Sequence, residues 1–386
     1  MRDAVICAAV RTPVGKRGGG LSGVHAVDLS AHVLQSLVER AGIDPAVIED
    51  VIWGCVSQVG EQTFNIARSA ALAAGWPETV PGTTVDRQCG SSQQSVAFAA
   101  ATVISGQADV VVAGGVEMMS RVPMGSASNP ASGAGRPMGP MFMERYAGQT
   151  INQGVGAEMI AERWGFSRTQ LDEFALSSHE KAAKAQADGA FEEEIAPVTT
   201  AEGVISLDEG IRPGGTLEKL GSLKTPFKED GVISAGNASQ ISDGSAALLV
   251  TTSEKARELG LTPLVRIHTT VMAGDDPIIM LTAPIPATKK LLDRSGLSID
   301  DIGVYEVNEA FAPVPMAWLA DTGADPDKLN VNGGAIALGH PLGGSGARLM
   351  TTMIHQMRNT GTRYGLQTMC EGGGMANATI LELIDA

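Results

Sequence analysis

The chain repeats one order of motifs near its two ends, and this repeat constrains the fold more than any other feature. Residues 39–44 precede residues 48–54 near the front, and residues 293–298 precede residues 300–306 near the back. Each pair predicts a helix that ends at a glycine, a capped turn and a short buried strand. Similar patterns also arise by chance in α/β chains, but here several elements recur in the same order. The pattern therefore predicts an α/β protein of two similar halves with mostly parallel sheets.

The composition describes a folded chain that is too long for one core. With 386 residues, two or three domains are expected, and a 44% hydrophobic and 18% charged content argues against disorder. The net charge of −15 argues against a nucleic-acid or anionic-membrane partner. No stretch reaches the roughly 18 apolar residues of a membrane span. The apolar run 4–10 predicts a first buried strand and not a signal peptide.

A long segment between the halves has a different character. Residues 119–148 are rich in Met, Gly, Ser and Pro without a period, as in long functional or disordered loops. Ser167 and Gln170 then form a capping box before a helical pattern. We expect this segment to lie over an active site. The predicted division is an N-terminal half (1–118 plus 235–262), an inserted loop domain (119–234) and a C-terminal half (263–386).

The cysteines lie far apart in the sequence. Cys7, Cys55, Cys89 and Cys370 form no CxxC pair and no disulfide framework. This usage favours a reducing cytoplasm. No cluster has zinc spacing, so no metal site is predicted.

Cys89 lies where a chain can make a cysteine reactive. It follows the β-prone run 83–87 and precedes a helical pattern over residues 93–104. Unpaired N–H groups and the positive end of the helix macrodipole would favour thiolate over thiol there. A buried structural cysteine is the alternative, and the local pattern does not decide between the two.

Three further polar groups could serve a cysteine nucleophile. His340 is surrounded by glycines in residues 332–346, although a lone histidine is more often structural. Cys370 precedes a glycine turn, and Asn308 opens an apolar helix. We expect all of these groups and Cys89 at the C-terminal ends of strands, converging in one crevice. Two cysteines beside one histidine suggest that one sulfur carries an acyl group while the other moves a proton.

At these residues the chain resembles the thiolase family, over essentially its whole length. The matching blocks are VDRQCGS (85–91), GNAS (236–239), SDG (242–244), NEAF (308–311), NGGAIALGHP (332–341) and CEGGG (370–374). The resemblance implies an α/β, thiolase-like five-layer fold of two duplicated halves with an inserted loop domain. Some blocks also look like those of bacterial thiolases of steroid and fatty-acid breakdown.

The resemblance implies a two-step chemistry on a 3-oxoacyl-CoA. Cys89 would attack the 3-keto carbon while His340 takes its proton, and Cys370 would protonate the departing acetyl-CoA. A second CoA would then take the acyl group from Cys89, so CoA is a substrate and no cofactor is permanently bound. One oxyanion site would be His340 with a water held by Asn308, and the other the N–H groups of Cys89 and Gly372.

The resemblance also implies the residues that bind the substrate. The expected contacts of CoA and the acyl group are Arg212, Lys219, Leu223, Phe227, Ala235, Ser239 and Phe311. Many relatives carry a His-Met pair where this chain has Asn152 and Gln153. This departure predicts an acyl pocket for a substrate bulkier or more polar than acetoacetyl-CoA.

Other readings remain open from the sequence. One is a biosynthetic acetyltransferase that forms acetoacetyl-CoA. A ketoacyl synthase-type condensing enzyme would lack the second cysteine, and a non-catalytic CoA or lipid carrier would lose part of the set of Cys89, Asn308, His340 and Cys370. The resemblance implies a homodimer or a homotetramer without deciding between them.

Overall fold

The structure is a computed structural model that describes residues 2–384; residues 1, 385 and 386 of the two predicted halves lie outside this range. The strands are β1 Val5–Arg11, β2 Gly15–Lys16, β3 Asp50–Gly54, β4 Thr83–Val85, β5 Val110–Met118, β6 Val198–Thr200, β7 Gly203–Ile205, β8 Ser242–Thr251, β9 Val265–Gly274, β10 Val304–Val307, β11 Tyr364–Glu371 and β12 Met375–Leu383. The helices are α1 Ala26–Ala41, α2 Ile66–Ala73, α3 Ser91–Ser105, α4 Pro140–Arg145, α5 Gln153–Trp164, α6 Arg168–Ala187, α7 Leu217–Gly221, α8 Ser253–Glu258, α9 Pro284–Ser295, α10 Pro313–Thr322, α11 Ala335–Leu338 and α12 Ser345–Thr360.

The predicted duplication is confirmed in the structure. Helix α1 ends at Gly42 and helix α9 at Gly296, both left-handed with φ of 68° and 75°. Glycine adopts this conformation without the steric cost that other residues meet. Each glycine leads into a short 3₁₀ turn, capped by Asp44 in one half and by Ser298 in the other. The strands β3 and β10 then follow at equivalent places.

The two halves share one mixed sheet, so the prediction of mostly parallel sheets was wrong. Its strand order is β10-β11-β12-β9-β1-β8-β5-β3-β4, with β2 paired to β8. Strand β3 is parallel to β4 and β5, and β10 is parallel to β11. Strands β8 and β12 instead run antiparallel to their neighbours. The glycine turn 372–374 is one reason, because so short a connection can join only antiparallel strands.

The core clusters define five layers. Helices α1 and α2 cover one outer face of the N-terminal part of the sheet. Helices α3 and α12 pack against each other between the two parts of the sheet. Helices α9 and α10 cover the outer face of the C-terminal part. The middle pair of helices therefore lies between the halves, and Cys89 and His340 both precede helices of this pair.

The connection between β5 and β8 is long and carries α4 to α7 and the small β6–β7 sheet. The predicted capping box is present, because the Ser167 side chain accepts from the backbone of Gln170, whose side chain returns to the Ser167 backbone. The early part of this connection exposes methionines, including Met141 at 86%. Helices α5 and α6 pack their apolar faces in a separate core cluster beside α10.

Close glycine contacts hold the loop before α12 against the ends of β3 and β5. A Cβ atom on Gly115 would lie 2.2 Å from the Gly343 carbonyl oxygen and 2.7 Å from that of Gly54. The Gly343 N–H donates to the buried Glu117 carboxylate at 2.9 Å. These contacts fix the loop that carries His340 onto the N-terminal half.

We predict that Gly115→Ala destabilises the protein by roughly 1–3 kcal/mol, because the methyl group overpacks a site closed by backbone atoms. The measurement is the free energy of unfolding in denaturant. The control is Gly23→Ala, since a Cβ atom on the exposed Gly23 meets no atom within 4 Å. The control should stay within about 0.5 kcal/mol of the parent. Equal stability of the two variants would contradict the assigned contact.

Candidate active site

Asn308 joins His340 and Cys370 in one buried cluster. Its Nδ2 lies 3.4 Å from His340 Nε2 and 3.8 Å from Cys370 Sγ. The Asn308 backbone N–H donates to the Thr368 carbonyl at 3.1 Å, which continues the β10–β11 ladder and brings Asn308 beside the end of β11. Within residues 2–384, the buried Asn308 Oδ1 has no hydrogen-bond partner. This oxygen can accept a hydrogen bond from a bound molecule.

Ser345 determines which nitrogen of His340 carries the proton. The Ser345 hydroxyl donates to the Pro341 carbonyl at 2.9 Å and lies 2.6 Å from His340 Nδ1. Because the hydroxyl proton is used on Pro341, its oxygen accepts from Nδ1–H. Nε2 is then the unprotonated nitrogen, which faces Asn308. The His340 backbone N–H also donates to Ser242 Oγ at 3.2 Å.

His340 does not follow a strand, and that expectation was wrong. The chain passes from an isolated bridge between Leu329 and Tyr305 into the short helix α11, and His340 lies in the loop between α11 and α12. Gly339, with φ of 98°, makes the turn, and a Cβ there would lie 2.3 Å from Ser242 Oγ. Glycine residues have no side chains that could stabilise a strand. The path of this loop is therefore set by the segments against which its backbone packs.

His340 is neutral in this environment. Burial, with a smaller contribution from the positive charge of Arg348, lowers the pKa of His340 to about 3. A neutral imidazole whose Nε2 is free can accept a proton. The arrangement therefore suits a general base.

Cys89 is also neutral, which corrects the expectation of a thiolate. It lies two residues before α3 in a cluster with Met119, Leu342, Leu349 and Met369. Burial, followed by the nearby Cys370 and Glu371, raises the pKa of the Cys89 thiol well above 9.0. Its own backbone N–H lowers that pKa, but the loss of hydration outweighs the helix terminus. The thiol needs a base before it can act as a nucleophile.

Cys370 and Glu371 lie at the end of β11, as the sequence predicts for Cys370. Burial raises the pKa of the Cys370 thiol to about 12, although the Asn308 side chain acts in the opposite direction. Burial also raises the pKa of Glu371 to about 8, opposed by the charge of Arg87. Cys370 contributes to raising the pKa of Cys89, so the two thiols are close enough to interact electrostatically. Gly372 follows immediately in the half-buried turn.

The predicted substrate-binding residues form a partly continuous edge. The Phe227 and Phe311 rings meet edge to face with centroids 6.0 Å apart. The Ser239 N–H donates to the Ala310 carbonyl at 3.0 Å, beside Phe311. Leu223 packs on Gly236, next to the exposed Ala235.

The other predicted binding residues have more varied surroundings. Arg212 donates to Gln240 Oε1 at 3.2 Å, next to Ser239, and is otherwise exposed. Lys219 is exposed on α7. The Asn152 side chain caps α5 by accepting the N–H groups of Gly154 and Val155, so its carboxamide has a structural contact. Gln153 reaches the Gly372 turn.

Several residues at the site were not singled out from the sequence. Ser345 orients His340, Ser242 holds its backbone, and Glu117 accepts the N–H of Gly343. Ser242 and Ser345 lie inside or beside the matching blocks. Glu117 also gives a local signal, since it is an acidic residue inside the apolar strand β5. The contacts that each of these three residues makes could not be inferred from the neighbouring sequence.

Within residues 2–384, no group of three or more His, Cys, Asp or Glu side chains has the arrangement of a metal site. No helix in the same range is long and apolar enough to cross a membrane. Chemically, the cluster combines two neutral thiols, a neutral imidazole and a carboxamide. Such a set can transfer an acyl group to sulfur and move protons between sulfur and nitrogen.

Comparisons with known proteins agree with this geometry. The thiolase N-terminal domain model matches residues 4–254, and the thiolase C-terminal domain model matches residues 261–383. A steroid 3-ketoacyl-CoA thiolase of Mycobacterium tuberculosis is 52% identical over 386 residues, 99% of this chain and 94% of that protein. A beta-ketoadipyl-CoA thiolase of Escherichia coli is 45% identical over 401 residues, the full length of both. The crystal structure of the Bacillus anthracis acetyl-CoA acetyltransferase superposes with a TM-score of 0.92 at 40% identity, covering 100% of this chain and 99% of that one.

The five-layer fold and the thiol–imidazole cluster define an enzyme of the acyltransferase class. More narrowly, both halves match their family models over nearly the whole chain, and the chain belongs to the thiolase family.

We predict that Cys89 remains a thiol at neutral pH, because burial and the adjacent acidic groups oppose its ionisation. The measurement is the ultraviolet absorbance of thiolate against pH, as the difference between the parent and Cys89→Ala. No thiolate should appear in this difference below pH 9. A thiolate signal near neutral pH would instead indicate a resting thiolate–imidazolium pair.

We predict that His340 makes the free energy of unfolding decrease as the pH falls. Its folded pKa of about 3 lies below its unfolded value, so the unfolded chain binds more protons as the pH falls. The stabilisation is present above the unfolded pKa of about 6.5 and is lost progressively as the pH falls towards the folded value. Between pH 7 and pH 5, the parent should lose about 2 kcal/mol relative to His340→Asn. The measurement is denaturant unfolding of both proteins, and a constant difference would contradict a buried neutral imidazole.

Proposed function

We propose that the protein is a degradative thiolase. It would cleave a 3-oxoacyl-CoA with CoA to give acetyl-CoA, or propionyl-CoA, and a shortened acyl-CoA. The observation that carries this proposal is the buried cluster of Cys370, Asn308 and His340, together with the effect of Cys370 on the pKa of the Cys89 thiol. The names of the relatives, among them a steroid 3-ketoacyl-CoA thiolase, support a role in β-oxidation or steroid-type degradation.

In the first step, the Cys89 sulfur attacks the 3-keto carbon and His340 Nε2 accepts the thiol proton. Both groups are neutral at rest, so attack and proton transfer are coupled. The bond between C2 and C3 breaks, and its electron pair leaves with acetyl-CoA as an enolate. Cys370 donates its proton to C2, which releases acetyl-CoA and leaves an acyl-Cys89 thioester and a Cys370 thiolate.

In the second step, a CoA thiol loses its proton to the Cys370 thiolate and attacks the acyl-Cys89 carbonyl. The Cys89 sulfur leaves and recovers the proton held on His340. The products are the shortened acyl-CoA and the starting enzyme. The 3.8 Å contact of Asn308 Nδ2 with Cys370 Sγ supports this role, because a hydrogen-bond donor stabilises a transient thiolate.

The two steps develop negative charge on different oxygens. We assign the enolate oxygen to His340 and a water bound by Asn308, whose free Oδ1 is suited to hold that water. We assign the tetrahedral oxyanion at Cys89 to the backbone N–H groups of Cys89 and Gly372. A single donor of this kind contributes roughly 3–4 kcal/mol to lowering the barrier.

The proposal extends to the rest of the molecule. CoA is a substrate with no permanently bound cofactor, and it would lie along the edge formed by Leu223, Phe227, Ser239 and Phe311, with Arg212, Lys219 and Ala235 as further contacts. Residues 119–234 would act as a loop domain over the site. A cytoplasmic location and a homodimer or homotetramer belong to the same proposal, and the former is supported by four free cysteines.

A second candidate is the synthetic direction, which forms acetoacetyl-CoA from two acetyl-CoA molecules. The Bacillus anthracis acetyl-CoA acetyltransferase supports it, because its fold covers the whole chain. The same residues serve both directions by microscopic reversibility. Comparison of kcat/KM for acetoacetyl-CoA and for longer 3-oxoacyl-CoA esters distinguishes the degradative from the synthetic function. A clear preference for acetoacetyl-CoA would favour the synthetic function.

We predict that Cys89→Ala and Cys370→Ala fail in different ways. Cys89→Ala should lose more than about 10⁴-fold in turnover, because the nucleophile is absent. Cys370→Ala should lose about 10²- to 10⁴-fold in kcat, the usual contribution of a general acid–base group. The assay follows the CoA-dependent loss of 3-oxoacyl-CoA enolate absorbance, with Cys7→Ala as a buried cysteine control.

Mass spectrometry adds a direct test of the intermediate. The parent incubated with an acyl-CoA should carry an acyl group on the peptide that contains Cys89. The Cys89→Ala protein should carry none. Full activity of either variant, or acylation at another cysteine, would exclude the proposed scheme.

A further inference from the structure

Two carboxamides flank the Gly372 turn on its open side. A Cβ atom on Gly372 would lie 3.0 Å from Gln88 Oε1 and 3.3 Å from Gln153 Nε2. The two side chains come from segments far apart in the sequence, one from the turn before Cys89 and the other from the start of α5. Together they present an acceptor and a donor next to the reactive cysteine.

The orientation of the Gln88 carboxamide is set by Asp86. Gln88 Nε2 donates to Asp86 Oδ1 at 3.2 Å, and the Gln88 backbone N–H donates to the same oxygen at 2.7 Å. Gln88 has a φ of 48°, which is uncommon for a residue other than glycine. The Asp86 contacts stabilise this conformation and leave Oε1 directed at Gly372.

Gln153 is held by a rigid support. It is the first residue of α5, whose N-terminus is capped by the Asn152 side chain. The next residue, Gly154, packs directly on Phe227, because a Cβ atom there would lie 2.2 Å from the ring. The half-buried Gln153 carboxamide makes no hydrogen bond of its own within residues 2–384. Its donor is therefore available at a defined place.

Cys89 itself is buried among apolar groups. It belongs to a hydrophobic cluster with Met119, Leu342, Leu349 and Met369. Gly372 and Gly373, in contrast, are half-buried and exposed. An acyl group attached to Cys89 would extend on the open side, past the two carboxamides.

We propose that Gln153 and Gln88 select 3-oxoacyl-CoA substrates whose retained acyl tail carries a neutral hydroxyl or carbonyl oxygen. Gln153 Nε2 donates to that oxygen, and Gln88 Oε1 accepts from it when it is a hydroxyl. The inference rests on the proposed function, since it concerns the acyl group that remains on Cys89. It assigns this pair a role in specificity and not in the chemical steps.

The charges around the pair disfavour an anionic tail. Asp86 lies directly behind Gln88, and the Oε1 acceptor would repel a carboxylate. Glu371 lies under the same turn, against Gly90, but its pKa of about 8 keeps it largely protonated at neutral pH, so Asp86 is the negative charge that an anionic tail would meet. Arg87 is the nearby cation, and its charge acts on Glu371, whose pKa it lowers. A neutral oxygen therefore matches the site better than a terminal carboxylate.

The experiment compares kcat/KM for four 3-oxoacyl-CoA esters of equal tail length. Their tails end in an alkyl group, a hydroxyl, a ketone or a carboxylate. The proteins are the parent, Gln153→Met and the control Gln107→Met, since Gln107 is exposed beyond the end of α3. Methionine keeps the length and flexibility of glutamine but removes its donor. Unfolding of each protein in denaturant reports whether the fold is retained.

We expect the parent and Gln107→Met to prefer the hydroxyl and ketone esters over the alkyl ester by about 3- to 10-fold, the usual effect of one hydrogen bond. Gln153→Met should bring this ratio close to one with unchanged unfolding. A ratio near one in the parent, fastest turnover of the carboxylate ester, or a ratio unaffected in Gln153→Met would overturn the inference. If no ester undergoes Cys89-dependent cleavage, the proposed function itself fails, and the inference with it.

Discussion

The site depends on how the loop between α11 and α12 is held between the two halves. Glu117 at the end of β5 accepts the Gly343 N–H, and the glycines of β3 and β5 let that loop approach their backbone closely. On the other side, Asn308 from the end of β10 contacts His340. The imidazole of His340 is therefore positioned by contacts with both halves of the protein. A displacement of either half would alter its distance from a thiol.

The same packing determines the electrostatics. Burial keeps the Cys89 and Cys370 thiols protonated and the His340 imidazole neutral. A preformed thiolate would need its charge stabilised without water, at high cost. Neutral partners avoid this cost at rest and exchange protons only as the bonds change. The absence of bulk water also strengthens the hydrogen bonds that stabilise developing charge.

Local signals in the sequence predicted helix ends and caps correctly, because interactions between residues close together in the chain determine them. Gly42 and Gly296 end helices because a left-handed residue is needed there, and Ser167 with Gln170 forms its capping box within one turn. Strand direction was predicted poorly, because β8 pairs with strands more than a hundred residues away in sequence, such as β5 and β1. The contact of the His340 ring with Ser345 was also not predicted, because a glycine-rich sequence does not indicate the path of its own backbone.

The sequence by itself determined the duplicated α/β order, the family and the identity of the two cysteines, the histidine and the asparagine, because these follow from local pattern and from motif order. Only the tertiary structure decided the protonation of those groups and the surroundings of Gln153. Both depend on desolvation and on contacts between segments far apart in the chain, such as α5 and the turn after β11. Protonation states and side-chain surroundings are properties of the packed molecule, and they cannot be derived from any single segment of the chain.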